Sequence, residues 1–114
     1  MDIPERVRVS PYWISLRPDP QACRASECTG QYLGDEHVII YDDGPGVAPG
    51  ILLDSLVHEL LHALWNQSGA SLIVDDTGEK SKGEQVIRAL TPRLIGLLQD
   101  NPFLVKLICE EETL

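Results

Sequence analysis

His58, Glu59 and His62 form an H-E-x-x-H pattern inside an apolar run from Ile51 to Trp65. A run of that length makes about four turns of helix. Residues four apart stack on one helical face with Cβ atoms roughly 5–6 Å apart. Two imidazoles so placed can share one zinc ion at Zn–N distances of about 2.0–2.1 Å. Glu59 follows the first histidine and can reach a water molecule at such an ion without ligating it. The expected chemistry is zinc-assisted hydrolysis, with His58 and His62 as ligands and Glu59 as the base.

A helical wheel adds to this reading. At about 100° per residue, Ser55, His58, Glu59, His62 and Asn66 fall in one sector of about 100°. Most of the remaining wheel is apolar: Leu53, Leu56, Val57, Leu60, Leu61, Ala63, Leu64 and Trp65. Such a helix is expected to be buried on most sides, with its polar strip facing a cleft. The rival reading is a buried helix whose one solvated edge carries two histidines and a glutamate with no metal.

A catalytic zinc site has three protein ligands and an open position. Candidates for the third are His37, Asp75, Asp76, Glu79, Glu84 and Cys109. Glu84 opens an expected second helix and aligns with Ile87 and Thr91 near its inward side. It also stands three residues after Ser81, the spacing of a capping box, in which its carboxylate would return a hydrogen bond to the Ser81 backbone. Chemistry alone leaves these two roles for Glu84 open.

The motif helix, with Gly83-Glu84-Gln85-Val86-Ile87-Arg88-Ala89-Leu90 and Asp100-Asn101-Pro102 after it, resembles the small zinc metallopeptidases of phages and prophages. These are similar to minimal gluzincins and more distantly to ImmA/IrrE-type and SprT-like zincins. The resemblance spans about residues 12–108, and its most specific part is the motif helix. It implies a zincin-like α+β fold, a peptidase activity on peptide or protein substrates, and Zn2+ held by His58, His62 and Glu84. The family pattern has a Glu-Glu pair whose second member falls on Glu84; Gly83 stands where the first would be.

Several elements must position these groups. Glu5–Val9 and Tyr12–Arg17 alternate as strands do, and Pro18-Asp19-Pro20 ends the second. Gln21–Glu27 reads as a short helix. His37–Tyr41 is a β-branched run expected to be a strand, and a strand beside a zincin helix pairs with extended substrate. His37 and Tyr41 share a face of that strand, where a surface or core role is expected. Gly69 stops the motif helix, Ser71–Val74 reads as extended, and Asp75–Gly83 as a polar loop. In the second helix, Thr91-Pro92 either kinks the helix or opens a new one with Thr91 as its cap. Asn101-Pro102 starts a last helix, and Glu110-Glu111-Glu112 reads as its solvated end. The expected whole is α+β, a small antiparallel or mixed sheet on a buried HExxH helix with further C-terminal helices, as a single domain over residues 1–114.

Composition narrows the partners. The 114 residues suffice for one core. Net charge is −9, from 18 Asp+Glu against 9 Lys+Arg. That repels phosphate backbones, and no basic run offsets it along the sequence, so no nucleic-acid partner is expected. No stretch reaches the roughly 20 apolar residues of a membrane span. Met1–Arg6 carries no apolar leader, so a cytoplasmic protein is expected. Cys23, Cys28 and Cys109, an odd set, read as free thiols rather than disulfides or a second metal site. A zinc-stabilised interaction module without activity, and a metal-free structural domain, are the alternative functions.

Overall fold

Alternation in the N-terminal third builds a sheet with two different faces. In the computed structural model, which describes residues 1–110, the strands are β1 (Arg6–Val9), β2 (Tyr12–Pro18), β3 (Gly30–Leu33) and β4 (Val38–Tyr41). Their spatial order is β1-β2-β4-β3. β1 and β3 run antiparallel to their neighbours, while β2 and β4 pair in parallel. The sheet is therefore mixed, and the fold is α+β. The parallel step is bridged by α1 (Pro20–Ala25), whose cap Asp19 accepts a hydrogen bond from the Ala22 backbone.

One face of the sheet packs on α2 (Pro49–Gln67), which carries the H-E-x-x-H pattern. Val9, Ile14, Leu16, Ile39 and Tyr41 from the strands meet Leu52, Leu56 and Ala63 from the helix in the larger core. Ile14 and Ile39 are fully buried, each worth about 1.5–3 kcal/mol of apolar transfer. Pro49 opens α2, where a missing N–H costs nothing. Gly69, at φ 82°, follows its last turn in the left-handed region that glycine tolerates.

The opposite face is half covered. Cys23 of α1 packs on Val38 and Ile40, with Cys28 and Leu33 at the margin. The thiols are neighbours because α1 ends in a Schellman turn. The Cys28 N–H donates to the Cys23 carbonyl, the Glu27 N–H to that of Arg24, and Glu27 takes φ 55°. Such turns bring those two side chains into apolar contact, which is the role the cysteines have here.

After α2 a single 3-10 turn spans Ala70–Leu72, where an extended segment was expected over Ser71–Val74. The Val74 N–H donates to the Ala70 carbonyl, which closes the segment into a helical turn. Next come α3 (Lys82–Asp100) and α4 (Pro102–Glu110). Pro92 lies within α3, which runs on through it. Thr91 does not cap a new helix: it is buried, and its hydroxyl donates to the Ile87 carbonyl one turn back, at 2.7 Å. Asn101 closes α3 by donating to the Leu97 carbonyl.

α2 is less enclosed than its composition suggests. Leu64 of α2 and Leu90 and Leu97 of α3 are each about half exposed. α3 covers one flank of α2 only, and α4 turns away at Asn101-Pro102 without burying any residue of its own. Glu111 and Glu112 lie outside the described residues. No helix among the described residues is long and apolar enough to cross a membrane.

Candidate metal centre

His58 and His62 project from one face of α2 with ring centroids 5.0 Å apart. Glu84 faces them from the first turn of α3. Its Oε1 lies 2.7 Å from Nε2 of His58 and its Oε2 3.0 Å from Nε2 of His62. All three side chains are mostly buried. Their ligand atoms lie within 4.8 Å of one another, so this group can hold a metal ion.

The donor geometry suits a cation between the three groups. Glu84 Oε1 is buried and has no hydrogen-bond partner, although His58 Nε2 is 2.7 Å away. The His58 ring is thus not aimed to donate to Oε1, whereas His62 Nε2 and Glu84 Oε2 stand at hydrogen-bond distance, 3.0 Å. Tetrahedral ligands at about 2.0–2.1 Å from zinc stand about 3.3 Å apart. The 2.7 Å contact of Glu84 with His58 and the 3.0 Å contact with His62 would open by about 0.6 Å and about 0.3 Å to reach that spacing. Two imidazoles and a carboxylate are a donor set that zinc accepts.

Local structure decides between the two roles of Glu84. Ser81 does cap α3, its hydroxyl accepting from the Glu84 N–H at 3.1 Å. The Ser81 N–H is taken by the Gly78 carbonyl. With both backbone groups satisfied, the Glu84 carboxylate is released to the histidines. The cap thus fixes the backbone of the residue that completes the group.

Asp76 enters from the loop before α3 and binds the far side of His62, Oδ2 to Nδ1 at 2.8 Å. A carboxylate there holds the ring so that Nε2 faces inward. Asp76 therefore stands behind a histidine and not beside Glu84. The other proposed ligands are elsewhere. His37 stacks on Tyr12 at 4.7 Å. Asp75 accepts hydrogen bonds from the Thr77 backbone and hydroxyl. Glu79 is exposed, and Cys109 sits on exposed α4.

Glu59 is held by a group the sequence did not signal. Its Oε1 accepts a 2.8 Å hydrogen bond from the Tyr32 N–H, and its Oε2 lies 3.7 Å from His58 Nε2. The donor comes from the free edge of β3. The Asp42 N–H bonds the Thr29 carbonyl, so the ladder to β4 continues through Gln31 and Leu33 and leaves Tyr32 pointing outward. β3 also approaches α2 closely: a Cβ on Gly30 would lie 3.4 Å from Glu59 Cγ and Ser55 Cβ. The strand beside the site is thus β3. β4, with Tyr41 in the core, is an interior strand whose two edges are already paired.

Burial dominates the electrostatics. It drives the Glu59 carboxyl up from 4.5 to about 7, against the Tyr32 hydrogen bond that favours the anion. Burial likewise lowers His58, opposed by the charge of Glu84. For His62 burial is outweighed by the Asp76 hydrogen bond and by the charges of Glu59 and Glu84, which raise it.

A cleft runs past both sides of Glu59. One side, about 550 Å³, is lined by Tyr32, Asn66, Asp76 and Thr77, and the other, about 720 Å³, by Cys28, Gly30, Asp54 and Arg88. No protein-family profile matches the chain, and neither a curated protein nor a solved structure is detectably similar to it.

Proposed function

We propose that this protein is a zinc-dependent peptidase whose ligands are His58, His62 and Glu84 and whose base is Glu59. The observation that carries the reading is the combination at one cleft: three converging ligand side chains, two imidazoles and a carboxylate, and beside them a further carboxylate, Glu59, that is not part of the group. A zinc ion held there supplies Lewis acidity towards a water molecule and a substrate carbonyl.

The chain's own residues account for the rest. Tyr32 fixes Oε1 of Glu59, leaving Oε2 on the histidine side to take a proton from water and pass it to the leaving amine. Such general acid–base catalysis is typically worth about 10²–10⁴-fold. Asp76 keeps His62 oriented. An extended peptide adding along the outer edge of β3 would lie across the cleft beside Glu59 and bond Gly30 and the Tyr32 carbonyl, the Tyr32 N–H being already given to Glu59.

Elemental analysis and peptide hydrolysis test the reading together. Wild type should bind about one zinc per chain, Glu84→Ala should bind it far more weakly, and Glu59→Gln should retain zinc and lose hydrolysis. Full hydrolysis by Glu59→Gln would remove the base. Zinc without turnover on any peptide pool would favour an interaction module built on the same site.

A further inference from the structure

The solvent-facing half of the sheet gathers what the sequence spreads out. Arg6 and Arg8 on β1 pair with Ser15 and Trp13 on β2, so all four side chains point to one face. Arg17 follows on that face by alternation, level with Ile40. α1 covers this face over β3 and β4 only, leaving Arg6, Arg8, Trp13, Ser15 and Arg17 exposed. The Arg6 guanidinium lies 4.1 Å from the Trp13 ring centre and that of Arg8 5.3 Å. Among the described residues, the arginines in ion pairs are Arg24 and Arg88, neither of them here. Removing these three positive charges from a net −9 leaves −12 on the rest of the chain.

β1 is also an open edge. The Leu16 N–H donates to the Glu5 carbonyl at 2.8 Å. In an antiparallel ladder this makes Glu5, Val7 and Val9 the residues bonded to β2. The N–H and C=O groups of Arg6 and Arg8 therefore face away from the sheet. Their side chains stand about 6.6–6.8 Å apart, the repeat of alternate residues in any extended chain.

We propose that the β1 edge docks an extended acidic segment of a partner protein, added as a fifth strand with carboxylates at alternate positions opposite Arg6 and Arg8. The backbone edge supplies register and the guanidiniums supply sign. Charge selects this occupant over a nucleic acid. The patch is two strands wide, and a polyanion running beyond it meets a molecule whose remaining net charge is −12. Arg6 also covers the Trp13 ring, which is therefore not an open platform for a base. Arginines on an edge strand also discourage the edge from pairing with its own copy, and that effect leaves an oppositely charged strand attracted. The site lies at the sheet edge opposite β3, so it stands whether or not the peptidase reading holds.

The test is fluorescence anisotropy of a short labelled peptide with glutamates at alternate positions, titrated with the full chain. Binding should weaken at high salt, and about tenfold or more in Arg6→Glu/Arg8→Glu, as expected for two lost exposed charge pairs. Circular dichroism checks that the variants fold. Arg8→Ala and Arg8→Pro remove the same charge, but only the proline removes an outward N–H without touching the bonds to β2. The proline variant should bind distinctly more weakly than the alanine variant. Equal binding by the two would overturn strand addition. Tighter binding of a single-stranded oligonucleotide or an anionic vesicle than of the peptide would overturn the choice of partner, and no salt-sensitive binding of the peptide would overturn the site.

Discussion

Asp76 reaches His62 because residue 83 has no side chain. A Cβ on Gly83 would lie 2.6 Å from the Asp75 carbonyl oxygen and 2.7 Å from Cα and Cβ of Asp76. The Gly83 N–H donates to that Asp75 carbonyl at 2.8 Å. The loop thus lies directly on the start of α3, and this brings the Asp76 carboxylate to 2.8 Å from His62 Nδ1. A glutamate at position 83 would displace the loop that supplies Asp76.

Two substitutions should therefore weaken zinc in the same way. Asp76→Asn is expected to lower zinc affinity about 10–100-fold by loosening His62. Gly83→Ala should do likewise without touching a ligand, and should also cost about 1–3 kcal/mol of stability from the overlap. Competition with a chromophoric chelator reads the affinity, and thermal unfolding reads the stability. Wild-type zinc affinity in Asp76→Asn would show that His62 needs no support.

Glu59 carries a stability cost with a definite pH signature. Its carboxyl rises from 4.5 to about 7 on folding. A raised carboxyl binds its proton more tightly in the folded state, so its contribution is most favourable below pH 4.5. It is lost as the pH rises towards 7 and the unfolded chain ionises first. The full shift corresponds to a destabilisation of about 3 kcal/mol above pH 7. Glu59→Gln still offers an oxygen to the Tyr32 N–H. Stripped of metal, it should be more stable than wild type at pH 8, by up to that amount, and nearly equal to it at pH 4. Urea unfolding at both pH values checks this. No stabilisation at pH 8 would mean that Glu59 is better solvated than its burial indicates.

How much of this was legible follows from where the information lies. The motif helix was readable because its apolar positions and polar strip are set by helical geometry within one segment. Glu84 was readable as a candidate because Ser81, three residues earlier, marks a helix start; that its carboxylate turns to the histidines depends on Gly78 satisfying the Ser81 backbone, a contact no spacing reveals. β3 was missed. Gly30-Gln31-Tyr32-Leu33 has no β-branched residue, and it is a strand because β4 offers it an edge. Tyr32 as the anchor of Glu59 was lost with it. Asp76 was noticed as a possible ligand, but its position behind His62 depends on the packing at Gly83. The arginine patch was invisible for a related reason. Arg6, Arg8 and Arg17 are scattered in sequence and meet only through strand register.

The cysteines should sort by environment and leave the metal site untouched. Cys23 is fully buried, and burial together with the neighbouring Cys28 thiol pushes its own thiol up to about 12. Cys28 is half-buried, and Cys109 is exposed. Because the thiolate is the nucleophile, iodoacetamide on the native protein should label Cys109 fast, Cys28 slowly and Cys23 only after unfolding. Peptide mapping by mass spectrometry gives the order. Cys23→Ser places a hydroxyl in the apolar contact with Val38 and Ile40, at an expected cost of about 1–3 kcal/mol. Cys28→Ala should cost less and leave one zinc per chain. If Cys23→Ser or Cys28→Ala instead removed zinc from an otherwise folded protein, these thiols would belong to a metal site, and their place in the Schellman contact would not account for them.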